Sequence, residues 1–185
     1  MMNMTTLFKQ HTKAVSGILA CLIVLTGSLA MPLATAQAAD EPSPPAQDGD
    51  YPRLRLFYQR VQLAYESQSY RLDLAHRSAD LVQEWIDLLA DEGRDTSDLE
   101  AALAEFNSQV DDAEGYHDEA GAILDNPAGF DADGNVTDRA QAVDTLRSAG
   151  QALRDAHRSL VDGTITLRRA MQDFRQGLRA DLSGE

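Results

Sequence analysis

Beyond residue 40 the chain carries three histidines, His76, His117 and His157, and two of them follow a carboxylate by three residues: Asp73-x-x-His76 and Glu114-x-x-His117. On a helix, that spacing sets carboxylate and imidazole on one face. Such a pair is ligand chemistry for a divalent cation. His76, Glu114, His117 and Asp73 therefore form a candidate metal set. A dinuclear carboxylate centre takes two Glu-x-x-His pairs plus carboxylates from two further helices. Here one motif has Asp, and a fourth helix is missing. The other reading of the histidines is structural, because a polar residue on an apolar stripe can fix the register of packed helices.

A second cluster is Asp131-Ala132-Asp133-Gly134-Asn135, which begins like a calcium loop. Asp131, Asp133 and Asn135 are the candidate oxygen ligands. An EF-hand needs Gly, a small apolar residue and Glu at its sixth, eighth and twelfth positions. Val136, Asp138 and Ala142 stand there instead. The competing reading is a polar turn, with Gly134-Asn135 reversing the chain and Thr137 or Asp138 capping a helix. Asn135-Val136-Thr137 also matches a glycosylation sequon. No G-x-S-x-G, Gly-rich phosphate loop or H-E-x-x-H occurs. Between Arg94 and Asp138 one Arg faces thirteen acids, whereas residues 139–185 carry eight Arg against six. The acids of residues 97–125 are a weak cation site, a face for a basic partner or a solvated surface. Tyr51, Phe57, Tyr58, Tyr65 and Tyr70 offer ring faces to a sugar or peptide, or else core.

The elements that must hold these residues are helices. Three apolar ladders step by alternating fours and threes: Leu54 to Leu89, Leu99 to Leu124 and Val143 to Leu178. That average of 3.5 keeps one stripe of each helix on a partner. Asp50 and Pro52 suit the start of the first helix, and Gly93 suits its end. Ser97 with Glu100, and Asp138 with Gln141, fit capping boxes. Gly115 sits within the second helix at a cost of about 1 kcal/mol relative to Ala, and Asn126-Pro127 closes it. No stretch alternates long enough for a strand. The expectation is all-α: an up-down-up antiparallel three-helix bundle with coiled-coil-like packing, its helices at about 51–92, 97–125 and 138–182.

Folding each helix back on the last sets third-helix residues level with first-helix residues about 74 positions earlier. His117 and His157 then stand ~16 Å apart along the axis, too far for one ion, while His76 and His117 are about four residues apart in level. The first helix overhangs at its start, where Phe130 and Val136 of the loop offer cover. The third overhangs at its end by ~24 Å. Leu167, Met171, Phe174 and Leu178 on that overhang are the candidate partner-binding residues, for a second copy or another helix. An early end or a bend of the helix is the alternative.

Residues 1–39 read as a secretory signal: Lys9 and Lys13, an apolar stretch from Ala14 to Ala30, and Ala36-Gln37-Ala38 as the cleavage box. Retention as an anchor and lipidation at Cys21 are the alternatives. Residues 40–50, Pro-rich and acidic, read as a disordered tether, and 51–185 as one helical domain. Cys21 is the sole cysteine, so a chain cut after Ala38 has no disulfide and no thiolate site. Both lysines fall in the leader, leaving 14 Arg against 30 Asp+Glu. That imbalance argues against a nucleic-acid partner, which must be met by clustered cations. After cleavage no integral membrane segment is expected.

Glu84-Trp85-Ile86-Asp87, Asp95-Thr96-Ser97 with Leu99-Glu100-Ala101-Ala102-Leu103, and Gly129 to Asp138 resemble segments of a group of bacterial exported helical-bundle proteins without assigned activity. That resemblance implies the fold class and export, and no chemistry. The architecture is similar in class to small periplasmic chaperones of the envelope-stress type, whose L-T-x-x-Q motif is absent. The expected function is non-enzymatic: protein–protein binding or self-association in the periplasm, the cell envelope or outside the cell. The alternative is an envelope metal-binding protein using the acidic second helix with His76 and His117. A weakly held divalent cation is the only cofactor considered.

Overall fold

A computed structural model describes residues 51–183. The leader, the Pro-rich segment and Asp50 lie outside the described residues. Three helices make up the fold: α1 (Pro52–Asp91), α2 (Ser97–Asp125) and α3 (Arg139–Ser183). Among the described residues there is no strand, only an isolated antiparallel bridge between Phe130 and Val136. No helix among them is long and apolar enough to cross a membrane.

The three ladders are what packs. None of their positions is exposed. Val82, Ile86, Leu99, Phe106, Leu160 and Leu167 are buried to within a percent or so and belong to one cluster. Each contributes about 1.5–3 kcal/mol of apolar transfer. A smaller cluster joins Ala64, Ala120, Ala152 and Leu153, with Val61 and Tyr65 against it. α2 and α3 pack on each other more extensively than either packs on α1. An added Cβ on Gly163 would stand 2.9 Å from the Gln109 Cβ, which shows how closely those two helices approach.

Helix ends follow local chemistry. Pro52 occupies the first turn of α1, where its missing N–H costs nothing. At the other end Gly93 takes φ +75°, its N–H bonds Ala90 O and the Arg94 N–H bonds Leu89 O. This is the Schellman arrangement, which uses carbonyls the helix leaves unpaired. The start of α2 differs from the expected Ser97–Glu100 box. The Asp95 carboxylate accepts from both the Ser97 N–H and the Ser97 hydroxyl, and the Thr96 hydroxyl donates to Glu100 at 2.6 Å. A carboxylate two residues back is a stronger acceptor than a hydroxyl, so Ser97 becomes a donor. Asp138 accepts from the Gln141 N–H, half of the box expected there.

The register of α3 departs from the expected one. Arg71 meets His157, 86 positions on, and Trp85 meets Phe174 edge to face at 5.5 Å. Simple folding-back set the offset about a dozen residues smaller. The loop is the cause. Instead of turning at the end of α2, it runs along the overhang of α1. There Phe130 stacks on Tyr58 with centroids 4.4 Å apart, Val136 is buried, and the Thr145 hydroxyl reaches back to Ala128 O. α3 therefore begins nearly level with the start of α1, and most of its expected overhang disappears.

Candidate functional site

The candidate metal residues do not converge. His117 is buried on α2, and its ring lies flat on Tyr65 at 4.1 Å and 8°. Its Nε2 is 3.2 Å from the Tyr65 carbonyl oxygen and 3.1 Å from Ser69 Oγ. A carbonyl only accepts, so Nε2 carries the proton and is committed to the backbone of α1. His76 instead meets Glu114, Nε2 to Oε1 2.6 Å, with both side chains about half exposed. Asp73 is exposed. Two of the four residues are thus paired and the other two are apart. Among the described residues no three His, Cys, Asp or Glu side chains come together as a metal set. A cleft of about 390 Å³ beside His76 is lined also by Asp80, Gln83, Asn107 and Asp111.

His157 is half-buried, with its Nδ1 3.5 Å from the Arg71 guanidinium. Burial, then the charge of Arg71, hold its pKa below the ordinary imidazole value. One turn earlier on α1, the buried Gln68 amide is oriented to satisfy both groups it faces on α3. It donates to Leu153 O at 3.3 Å and accepts the His157 N–H at 3.0 Å. Gln68 is thus the polar register contact of the α1–α3 seam.

The calcium-like loop is organised from within. Asp131 accepts the Asp133 N–H at 3.0 Å, the Asn135 N–H at 2.8 Å and the Asn135 side-chain amide at 3.0 Å. Those bonds, the Asn135 ones first, hold its carboxyl below the usual carboxylate range. The Asp131 oxygens expected on a cation bind the turn's own N–H groups, as in a polar turn.

The stripe at the end of α3 is corrected as well. Leu167 and Met171 are fully buried, Phe174 lies edge-on to Trp85, and Leu178 is half-buried. Leu167 and Met171 belong to the core cluster and Trp85 of α1 covers Phe174, so these residues are not the open face expected there.

An open face stands elsewhere. Seven large apolar residues are exposed among the described residues, and six of them are on α1. Five fall in two runs at sevens, Leu56, Leu63 and Tyr70, then Leu81 and Leu88, at 44–67% exposure. With the partly buried Leu74 they trace a second seam, Leu56-Arg60-Leu63-Ser67-Tyr70-Leu74-Arg77-Leu81-Glu84-Leu88. It steps by fours and threes like the core ladder and is offset from it by two residues, about 160° round the helix. Phe57 flanks it, with Arg60 over its ring at 5.8 Å. Gln59, Glu66, Asp73, Asp80 and Asp87 run along one edge, all exposed. The signal for this face was in the sequence, in the spacing of Leu56, Leu63 and Tyr70.

No family model matches the chain, and neither a curated protein nor a solved structure matches it.

Proposed function

We propose that this chain is an exported helical-bundle protein that acts by binding protein surfaces, without catalysing a reaction, and that the outward face of α1 makes the contact. One observation carries the reading: Leu56, Leu63, Tyr70, Leu81 and Leu88 stand exposed on one face along nearly the whole of α1. Monomers rarely leave contiguous apolar surface beyond a few hundred Å² uncovered, and a larger stripe marks an interaction site. The Lys-bearing leader with its A-x-A box supports export. An up-down-up antiparallel, coiled-coil-like arrangement belongs to the same reading. It is supported by contacts that descend along α2 as they ascend α1 (Tyr65 to His117, His76 to Glu114), and by contacts that ascend α3 in step with α1 (Arg71 to His157, Trp85 to Phe174).

The test is site-specific photo-crosslinking in cells making the full chain. A photoreactive residue in place of Leu63 should give a discrete adduct. One in place of Ala104, exposed on α2, should give none. Absence of any adduct from position 63, or equal adducts from both, would remove the contact assigned to α1.

A further inference from the structure

We infer that the occupant of the outward face of α1 is the same face of a second copy, laid antiparallel about a two-fold axis near residue 72. The inference rests on the binding role proposed above and names its partner. A two-fold interface must be self-complementary, each residue meeting its counterpart reciprocally. The seam has that property. Antiparallel pairing puts Leu56 opposite Leu88, Arg60 opposite Glu84, Leu63 opposite Leu81, Ser67 opposite Arg77, and Tyr70 opposite Leu74. Every layer is then apolar on apolar or a compatible polar pair. The one acidic residue of the seam falls against an arginine.

Parallel pairing gives a different result. It would set Arg60 on Arg60, Arg77 on Arg77 and Glu84 on Glu84, three like-charge layers in one seam, which is destabilising. The acidic edge of α1 works against the antiparallel choice. Glu66, Asp73 and Asp80 of the two copies approach one another along one flank. Arg77 of each copy falls within one residue of the level of Glu66 in the other and offsets the two Glu66–Asp80 approaches, whereas Asp73 meets Asp73 beside the axis. Within the seam itself, the Arg60–Glu84 pairs favour the antiparallel sense.

The area suffices. Large side chains offer ~200 Å² each, so the five seam residues at 44–67% exposure leave roughly 100 Å² apiece. That is on the order of 500 Å² of apolar surface per copy, to which the stems of Arg60 and Arg77 add. Two copies together approach the ~1,200 Å² at which specific interfaces begin. Area alone does not fix the affinity, so the association is read across a wide concentration range.

Three measurements on the purified full chain decide it. Light scattering from about 1 to about 200 µM should show the mass rising toward twice the chain mass. Leu63→Lys should abolish that rise while leaving the melting temperature at low concentration unchanged, because residue 63 is two-thirds exposed. In a Cys21→Ser background, Leu63→Cys with Leu81→Cys in the same chain should oxidise to a linked dimer. Either cysteine alone should not, since positions 63 and 63 lie ~27 Å apart in this register. A monomer mass throughout, or cross-linking by Leu63→Cys alone, overturns the proposal. A monomer that still yields an adduct to a different protein from position 63 in cells sinks the second copy but leaves the binding role. No adduct and no dimer sinks both.

Discussion

Three glycines of this fold should respond to alanine with different signs, and the structure fixes the order. Gly129 is the extreme case. It has φ +83°, and a Cβ there would stand 2.2 Å from Ala142 N and 2.5 Å from Asp138 O, both backbone atoms at the first turn of α3. A flexible side chain could swing away from such a clash, but backbone cannot. Relief requires the loop to leave α3, and with it go the bonds from Thr137 N–H and Asp138 N–H to Gly129 O and from the Thr145 hydroxyl to Ala128 O. Left-handed strain costs roughly 1–2 kcal/mol and each lost hydrogen bond about 1 kcal/mol, so Gly129→Ala should cost on the order of 3–5 kcal/mol. For a domain of this size that is a fall in Tm of about 12–20 °C. Gly93 has φ +75° with nothing within 4 Å of its added Cβ, so Gly93→Ala carries the strain alone, about 1–2 kcal/mol. Gly115 is helical, exposed and unobstructed, and Gly115→Ala should stabilise by ~0.5–1 kcal/mol. Circular-dichroism melts at one low chain concentration read all three, since association would shift the midpoints. A Gly129→Ala chain within 1 kcal/mol of wild type, or a destabilised Gly115→Ala, would refute the reasoning.

Phe106, fully buried where α2 meets α3, should lose about 3–5 kcal/mol as Phe106→Ala in denaturant titration, whereas the exposed Leu63→Ala should lie within ~0.5 kcal/mol of wild type. The depressed pKa of His157 means that its stabilising contribution is complete above its unfolded value of ~6.5 and is lost as pH falls through the folded value. Melts at pH 7.5 and 5.5 should therefore show less acid sensitivity in His157→Gln than in wild type, and equal sensitivity would discard the mechanism. The His76–Glu114 pair is half exposed, so chelator should leave the melting temperature unchanged and metal analysis should find no stoichiometric divalent ion. A chelator-dependent fall in melting temperature would restore the metal reading.

The fold class was legible because the ladders are periodic over whole helices and burial follows the period. Even polar interruptions obeyed it: Gln68, His117 and Thr164 are all buried, each with a backbone carbonyl as partner. What failed was the level of α3 against α1. That depends on the path of residues 126–138, and no periodicity describes a loop held by one ring stack and two glycines with positive φ. The misplaced level carried the error into function, creating an open stripe at 167–182 that the true register covers with Trp85. The metal set failed for a different reason. Three-residue spacing places Glu114 and His117 near one face, but the partners across the seam differ, His76 for one and the Tyr65 carbonyl for the other.

The open face of α1 follows from its sequence more than from how the helices happen to pack. Each helix of a three-helix bundle has two neighbours, and they cover one sector of its surface. On α1 the core ladder, together with Ala64, Ser78 and Trp85 beside it, fills that sector. The second seam lies about 160° away. Rotating α1 to bury Leu56, Leu63, Tyr70, Leu81 and Leu88 would bring Leu72, Val82, Ile86 and Leu89 into water, an exchange of equal cost in the other direction. No arrangement of three helices covers both faces of α1. The exposed Leu and Tyr of the leftover face, with one glutamate placed to meet an arginine on reversal, are therefore surplus to the packing of the three described helices. Nothing among the described residues covers them, and reversed pairing makes a second copy the partner of matching charge.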